Sequence, residues 1–374
     1  MRSLYQRINK YVPLGTIIIF LLSIISIIIY LACALSSTFA DFFNLACAPI
    51  RAILSSFSSL FSFSIIEAFI IFTPFILAML IYFAVKASKK GTIASIKYLC
   101  IIISIPLCYF IFFVWTFGCG YHTTPIESKL EISRESITKD ELYNTLEALT
   151  VELNSLSNQI TYDENGASVL PYSYNEMSEK ISKAYKNMAS DTKLLKTFDS
   201  RAKPLLTSKL IAYTHISGVY VPITGEININ TAYSDYMIAS TTAHEMAHQR
   251  GIAREDEASF VGFLALMYSD DSFLKYSAYI DVYYYLLSDL SNASLSLAND
   301  IYSKLNTSIK TDRDVFIKSF EKYKDSTISK LSNKINDTYL HANGEKHGTN
   351  SYNLVSELVC AYFVKKYNIW FFFE

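Results

Sequence analysis

The residues best suited to chemistry lie in one run, Thr241-Thr242-Ala243-His244-Glu245-Met246-Ala247-His248-Gln249-Arg250-Gly251, which contains the pattern H-E-x-x-H. On a helix, residues four apart share a face, so both imidazoles, His244 and His248, can reach a single Zn2+ at about 2.0–2.1 Å. Glu245 falls beside them, placed to take a proton from a water activated by the metal and hand it to a leaving amine. That combination generates a nucleophile near neutral pH, which peptide hydrolysis requires. The segment is free of Pro, and Gly251 supplies a C-terminal stop.

A catalytic zinc needs a third protein ligand and one open position. A metzincin would have a histidine at position 254, where this chain has Arg254, so that solution is excluded. Glu255-Asp256-Glu257-Ala258-Ser259-Phe260 follows, opening a helix expected to run through Tyr268. Glu255 is the first choice for the ligand, because ExxA before a small polar residue resembles the ligand-bearing helix of gluzincin peptidases. Glu257 is the alternative, and sequence geometry does not separate the two. Whichever is not the ligand favours the helix N-terminus by its charge. An oxyanion would need a donor near the metal, for which His215, Tyr220 and Tyr352 are candidates.

These residues must be held by an outer domain. Leu142, Leu146, Leu149, Leu153 and Leu156 recur at helical spacing and Thr138 with Glu141 forms a capping box, so Ile137 to Ile160 is expected as a helix. A second helix is expected over Tyr172 to Met188. Between Leu205 and Asn230 the period changes. Leu210 and Ala212, then Ile227 and Ile229, alternate with polar residues around a turn at Pro222 to Gly225, which predicts a β-hairpin. Its Gly225 to Asn230 strand is a candidate edge for binding an extended substrate, or else an ordinary hairpin strand. After Ser234 the pattern is helical almost to the end, except in the loop Asn343 to Asn350.

The rest of the chain reads as a membrane anchor. Among residues 1–118 eight are basic and two acidic, a net of plus six, whereas the remainder carries 25 basic and 32 acidic residues, a net of minus seven. An acidic outer part excludes a nucleic-acid-binding domain, which needs surplus Lys and Arg. An apolar fraction of 51% excludes disorder. Three stretches, Leu14 to Leu35, Ile65 to Val85 and Tyr98 to Gly118, approach the roughly 20 apolar residues that cross a bilayer. Glu67 interrupts the second, and Pro106 sits in the third.

Arg2, Arg7 and Lys10 in the N-terminal arm, with Lys86, Lys89, Lys90 and Lys97 between the second and third stretches, place those parts in the cytoplasm and everything after Gly118 outside. A cleaved signal peptide is the other reading of the first stretch, although its apolar run is long for one. The Ser36 to Ser64 loop reads either as an interfacial helix or as an apolar loop packed on the bundle. Six cysteines form no disulfide pattern; a Cys119 to Cys360 bridge stays open but has no spacing to support it.

Two segments, His215-Ile-Ser-Gly-Val-Tyr-Val-Pro-Ile-Thr-Gly-Glu-Ile-Asn-Ile-Asn230 and Ala243-His-Glu-Met-Ala-His-Gln-Arg-Gly-Ile-Ala-Arg-Glu-Asp-Glu-Ala-Ser-Phe260, carry a resemblance. With Asn336-Asp-Thr-Tyr-Leu340 and Gly348 to Tyr352, they resemble a domain-of-unknown-function family of bacterial multi-pass membrane proteins. The likeness covers most of the chain, including the membrane helices. The family's motif is similar to that of gluzincin-type zinc metallopeptidases, which implies His244, His248 and an acidic third ligand, with Glu245 catalytic. Where the family favours Asn, this chain has Ser259, so a hydrogen bond to a ligand is expected to differ.

The resulting expectation is a mainly α protein: a three-helix transmembrane anchor (1–118), a linker (119–136) and an extracytoplasmic α+β zincin-like domain (137–374) with a small β-hairpin or sheet. Its expected function is a multi-pass cell-membrane zinc metallopeptidase acting on a peptide or protein substrate, with Zn2+ and the lipid bilayer as partners and no nucleic acid. The competing class is a non-catalytic cell-wall or peptide-binding protein with a structural zinc. An intramembrane protease would need H-E-x-x-H inside an apolar span, and here it lies far beyond the last one.

Overall fold

In the computed structural model, residues 10–134, 137–324 and 326–367 are described. Arg2 and Arg7 of the basic arm, the last two residues of the 119–136 segment, and the C-terminal residues 368–374 lie outside them.

The first apolar stretch forms one helix, Leu14–Leu35, with the bounds its sequence gives. The third is longer than expected, Thr92–Thr116, and carries Pro106 within it. These two helices pack on each other, and the few polar groups between them find partners: Ser104 Oγ lies 3.2 Å from Thr16 Oγ1, and Trp115 Nε1 donates to Ser26 Oγ at 3.0 Å. Satisfying each other inside an apolar pair is what a lipid environment demands of such groups. Both helices are long and apolar enough to cross a membrane.

The stretch expected as one straight crossing at 65–85 is a bent pair instead, Ile65–Ile71 and Thr73–Lys89, with 63° between them. Pro74 opens the second piece, and a proline has no N–H to continue the ladder and clashes with the carbonyl four residues back. Counted as one span, the pair brings the candidates to three.

Residues 36–64 are not a free loop. They form helices Ser37–Ala46 and Ala48–Ser58, with Asn44, Arg51 and Ser55 bonded to Gly251, Arg250 and Asp199. Phe42, Ile53 and Phe57 on the same helices are exposed.

The part of the chain after Gly118 is mainly helical around one large apolar core. The capping box of Thr138 and Glu141 starts helix Lys139–Ser157, whose leucines are buried as their spacing requires. The second expected helix is Tyr174–Thr192, capped by Ser173. At the centre, helix Ser272–Ala293 packs against Lys139–Ser157 on one side and the H-E-x-x-H helix, Asp235–Gln249, on the other.

The sheet corrects the sequence reading in two ways. It has three strands, β1 (Ala202–Pro204), β2 (Gly218–Val221) and β3 (Glu226–Ile229), in the order β1-β3-β2, with β1 parallel and β2 antiparallel to β3. The expected turn lies between β2 and β3, but Leu210 and Ala212 are helical: Ser208–Ile211 is a short α-helix leading into a 3-10 turn, Ala212–Thr214. Leu210 is exposed, so its alternation with Ala212 reported no buried strand face. The strand proposed as an edge, β3, lies in the middle and is paired on both sides. Between the two outer strands, β2 is the one beside the motif helix's Glu245.

All six cysteines are free, which removes the Cys119 to Cys360 bridge. Cys119 is buried with Cys33 beside Val114, while Cys360 lies 3.4 Å from Thr145 Oγ1 in the outer core.

Candidate metal centre

The motif helix ends in a turn that reverses the chain. Gly251 has φ +98, a conformation that suits only a residue without a Cβ, and any Cβ there would run into Asn44 and Arg51. The following helix, Glu255–Met267, crosses back over the motif helix. Its approach depends on Gly262, where a Cβ would stand 2.9 Å from the backbone nitrogen of His244.

This geometry brings His244, His248 and Glu255 together. Both histidine Nε2 atoms lie 3.2 Å from the same carboxylate oxygen, Glu255 Oε2. Among the described residues these three form the group that could hold a metal ion, with ligand atoms all within 4.8 Å of one another. Two ligands on a tetrahedral ion with bonds of about 2.0–2.1 Å stand about 3.3 Å apart, so the observed spacing fits a zinc-sized tetrahedron.

The far side of each ring is held as well. His248 Nδ1 faces the Ile252 carbonyl at 2.7 Å, which requires the proton on Nδ1 and leaves Nε2 as the ring atom turned toward Glu255. His244 Nδ1 lies 3.1 Å from Ser259 Oγ. Ser259 is therefore the residue that faces the His244 ring on the side away from Glu255.

Electrostatics point the same way. Burial opposes charge on His248, but the Glu255 carboxylate outweighs it and holds the imidazole up at about 9. For Glu255, burial is overcome by His248 and His244, leaving its carboxyl well below the usual range. A carboxylate set between two imidazoles is a concentration of electron-pair donors and negative charge of the kind a divalent cation satisfies.

Glu245 is buried beside them. Burial raises its carboxyl above the ordinary value, while His244 and His248 pull it down. The Tyr220 backbone N–H on β2 faces it, and Gly218 on the same strand comes so close that a Cβ would be 2.9 Å from Glu245 Cγ. The glutamate is thus wedged between the two histidines and an edge strand.

The alternative ligand, Glu257, is engaged elsewhere. Its Oε1 accepts from Arg254 Nη2 at 2.6 Å and from the Ile126 backbone N–H at 2.9 Å. Asp256 beside it pairs with Arg134 at 2.5 Å. Of the three oxyanion candidates, Tyr352 is brought to the site: its ring lies 6.3 Å from that of His244, and burial with the neighbouring Glu255 carboxylate keeps its phenol well above the usual value. His215 instead bonds the Tyr323 carbonyl at 3.0 Å and packs on Phe320. Tyr220 contributes its backbone, while its ring lies 5.7 Å from that of Phe117.

Around the site lie Tyr339, from the Asn336 to Leu340 segment quoted above, and several residues that gave no signal of their own in the sequence. Phe117 sets its ring 5.4 Å from His248, Tyr121 packs on Phe117, and Tyr339 packs on both Tyr121 and Phe113. Asn44 and Arg51 support the turn from the other side: Asn44 Nδ2 donates to the Gly251 carbonyl at 3.0 Å, and Arg51 bonds Asn44 O at 2.8 Å. Scattered aromatics and a lone arginine in an apolar loop have no fixed spacing to the motif, so only the fold reveals them.

The fold and the site define a mainly helical chain with apolar helices able to cross a membrane and a His-His-Glu cluster of which His248 and Glu255 are buried and His244 half-buried. It belongs to the family described as "Protein of unknown function (DUF3810)", whose pattern matches residues 42–360. No curated protein and no solved structure matches the chain.

Proposed function

We propose that this chain is a membrane-anchored, zinc-dependent metallopeptidase that hydrolyses peptide bonds on the outer side of the membrane. The observation that carries the reading is the convergence of His244 and His248 on Glu255, with Glu245 buried beside the same face. His244, His248 and Glu255 would hold the ion, and their chemistry and spacing fit zinc. Bound there, zinc would act as a Lewis acid on the scissile carbonyl and on the attacking water.

Glu245 takes the proton of that water and returns it to the leaving amine; its raised carboxyl pKa suits a group that must do both. The accessible part of the β2 edge, at Gly218 and Val219, aligns an extended substrate by main-chain hydrogen bonds beside Glu245. Tyr352, whose ring lies beside His244 and whose hydroxyl is next to Glu255, is the candidate donor to the developing oxyanion. Three protein ligands leave a position open for chemistry, whereas a structural zinc is closed by four. The lysines at 86–97 on the side opposite Gly118 support a cytoplasmic placement for that loop and an external one for the site.

The test uses the full chain in detergent or proteoliposomes. It should bind about one zinc per chain, and Glu245→Gln should keep the metal while abolishing cleavage of an unstructured protein. Protein that stays metal-free in excess zinc rules the reading out. Undiminished cleavage by the Glu245→Gln variant removes the role assigned to that residue.

A further inference from the structure

The chain leaving the last apolar helix is not a spacer. Thr116 ends that helix, and Phe117, the next residue, already touches His248. Residues 118–122 then form a buried 3-10 turn lying on the end of the motif helix. Gly120 comes so close that a Cβ would be 2.8 Å from the Gly251 carbonyl and 2.9 Å from Ala253 Cβ. β2 is tied to the same place, since Thr116 Oγ1 donates to the Pro222 carbonyl at 3.3 Å just beyond the strand's end.

The 25 residues of Thr92–Thr116 make a helix of about 37 Å, against a hydrocarbon thickness of about 30 Å. With Lys97 held at one surface, the residues from 98 to 116 rise about 28 Å, which brings the Thr116 end to the opposite surface, and the His-His-Glu cluster sits one side chain away from it. No hinge separates the two, because Gly120 lies against the Gly251 carbonyl of the motif's turn and Phe117 against His248.

A second element lies at the same level. Helix Thr327–Ala342 places Tyr339 on Phe113, a residue inside the last apolar helix, and Asn336 beside Tyr352. Ile328, Leu331 and Ile335 continue from Tyr339 along one exposed stripe, at 55%, 59% and 61% exposure, with Lys330 and Lys334 also exposed on the helix. An apolar stripe with lysines on a helix that touches the end of a span is the composition of an element resting in the interface.

We propose that the substrates of this site are polypeptides anchored in the same bilayer, cut within about ten residues of its surface, the distance that an extended segment needs to run from the headgroups across β2. This rests on the metallopeptidase reading. The site cannot rise from the membrane to meet a distant loop, and the edge of β2 begins where the span ends.

The experiment puts the full zinc-loaded chain in proteoliposomes with a single-span substrate bearing two copies of one unstructured sequence. One copy starts about 5 residues from the span and the other about 40 residues away; the same sequence is also supplied as a free peptide. The near copy should be cut about tenfold or more faster than the far copy, because geometry and not tethering alone decides which bond is presented. Equal cleavage of both copies overturns this inference and leaves the peptidase reading standing. Cleavage of none of the three by zinc-loaded protein overturns both.

Discussion

Ser259 Oγ lies 3.1 Å from Nδ1 of His244, on the side of the ring opposite Glu255. That contact fixes the ring orientation of the less buried of the two histidines. Groups of this kind are worth about 10–100-fold in metal affinity when removed. Ser259→Ala is expected to weaken zinc binding by that order in a chelator competition, and Ser259→Asn, which restores a polar partner, to recover much of it. Unchanged affinity in the alanine variant would mean that the hydroxyl has no part in holding the ring.

Gly262 is where two helix backbones meet. A methyl there would stand 2.9 Å from His244 N and 3.1 Å from Ala243 C, and neither backbone can step aside as a side-chain tip could. Gly262→Ala should cost about 1–3 kcal/mol and lower the thermal midpoint, despite the gain in helix propensity. Zinc affinity should fall with it, since the same crossing sets Glu255 against His244.

Glu67 is a buried carboxylate at the start of the bent apolar segment, and its partners are in the outer part of the chain. It accepts from the backbone N–H of Leu206 at 2.9 Å and of Thr207 at 2.7 Å, and from Thr207 Oγ1 at 2.6 Å. Glu67→Ala leaves these donors without a partner and should destabilise the chain by about 2–4 kcal/mol. Limited proteolysis should then open the segment around residues 205–216 first.

Glu345 faces Asp256, Arg254, Glu255 and Glu257. Burial, then the charge of Asp256, lifts its carboxyl to about 7, with Arg254 working against the rise. The folded chain thus holds this proton more tightly than the unfolded one does. Its contribution to stability is complete below the ordinary value of 4.5 and is lost as pH climbs through about 7. Glu345→Gln should raise the thermal midpoint at about pH 8 and change it little at about pH 5. A variant with the same pH dependence as the parent would show that Glu345 is not the group responsible.

The helices and the histidine pair were legible because their signals are local. The bounds of Leu14–Leu35, the capping box at Thr138 and Glu141 and the spacing of His244 and His248 all sit within a few turns of one helix. The choice of Glu255 over Glu257 was not, because both open the same helix. What separates them is Arg254 and the N–H of Ile126, the latter 131 residues away. β1 was missed for a similar reason: three residues cannot show alternation, and its partner β3 comes some 25 positions later in parallel register. Leu210 misled because an exposed leucine in a short helical turn imitates a strand's outward and inward pattern over two residues.

The bond from Asn44 to the Gly251 carbonyl spans 207 positions of sequence. During synthesis, Asn44 and Arg51 leave the ribosome long before the turn they support exists, so the early helices act as a waiting template for the late motif. The same geometry bears on expression. A shortened chain starting after Gly118 would discard Asn44, Arg51 and Glu67 together and uncover the carbonyl and amide groups they cover. A version that retains residues from Ser37 onward keeps those three partners in the same polypeptide.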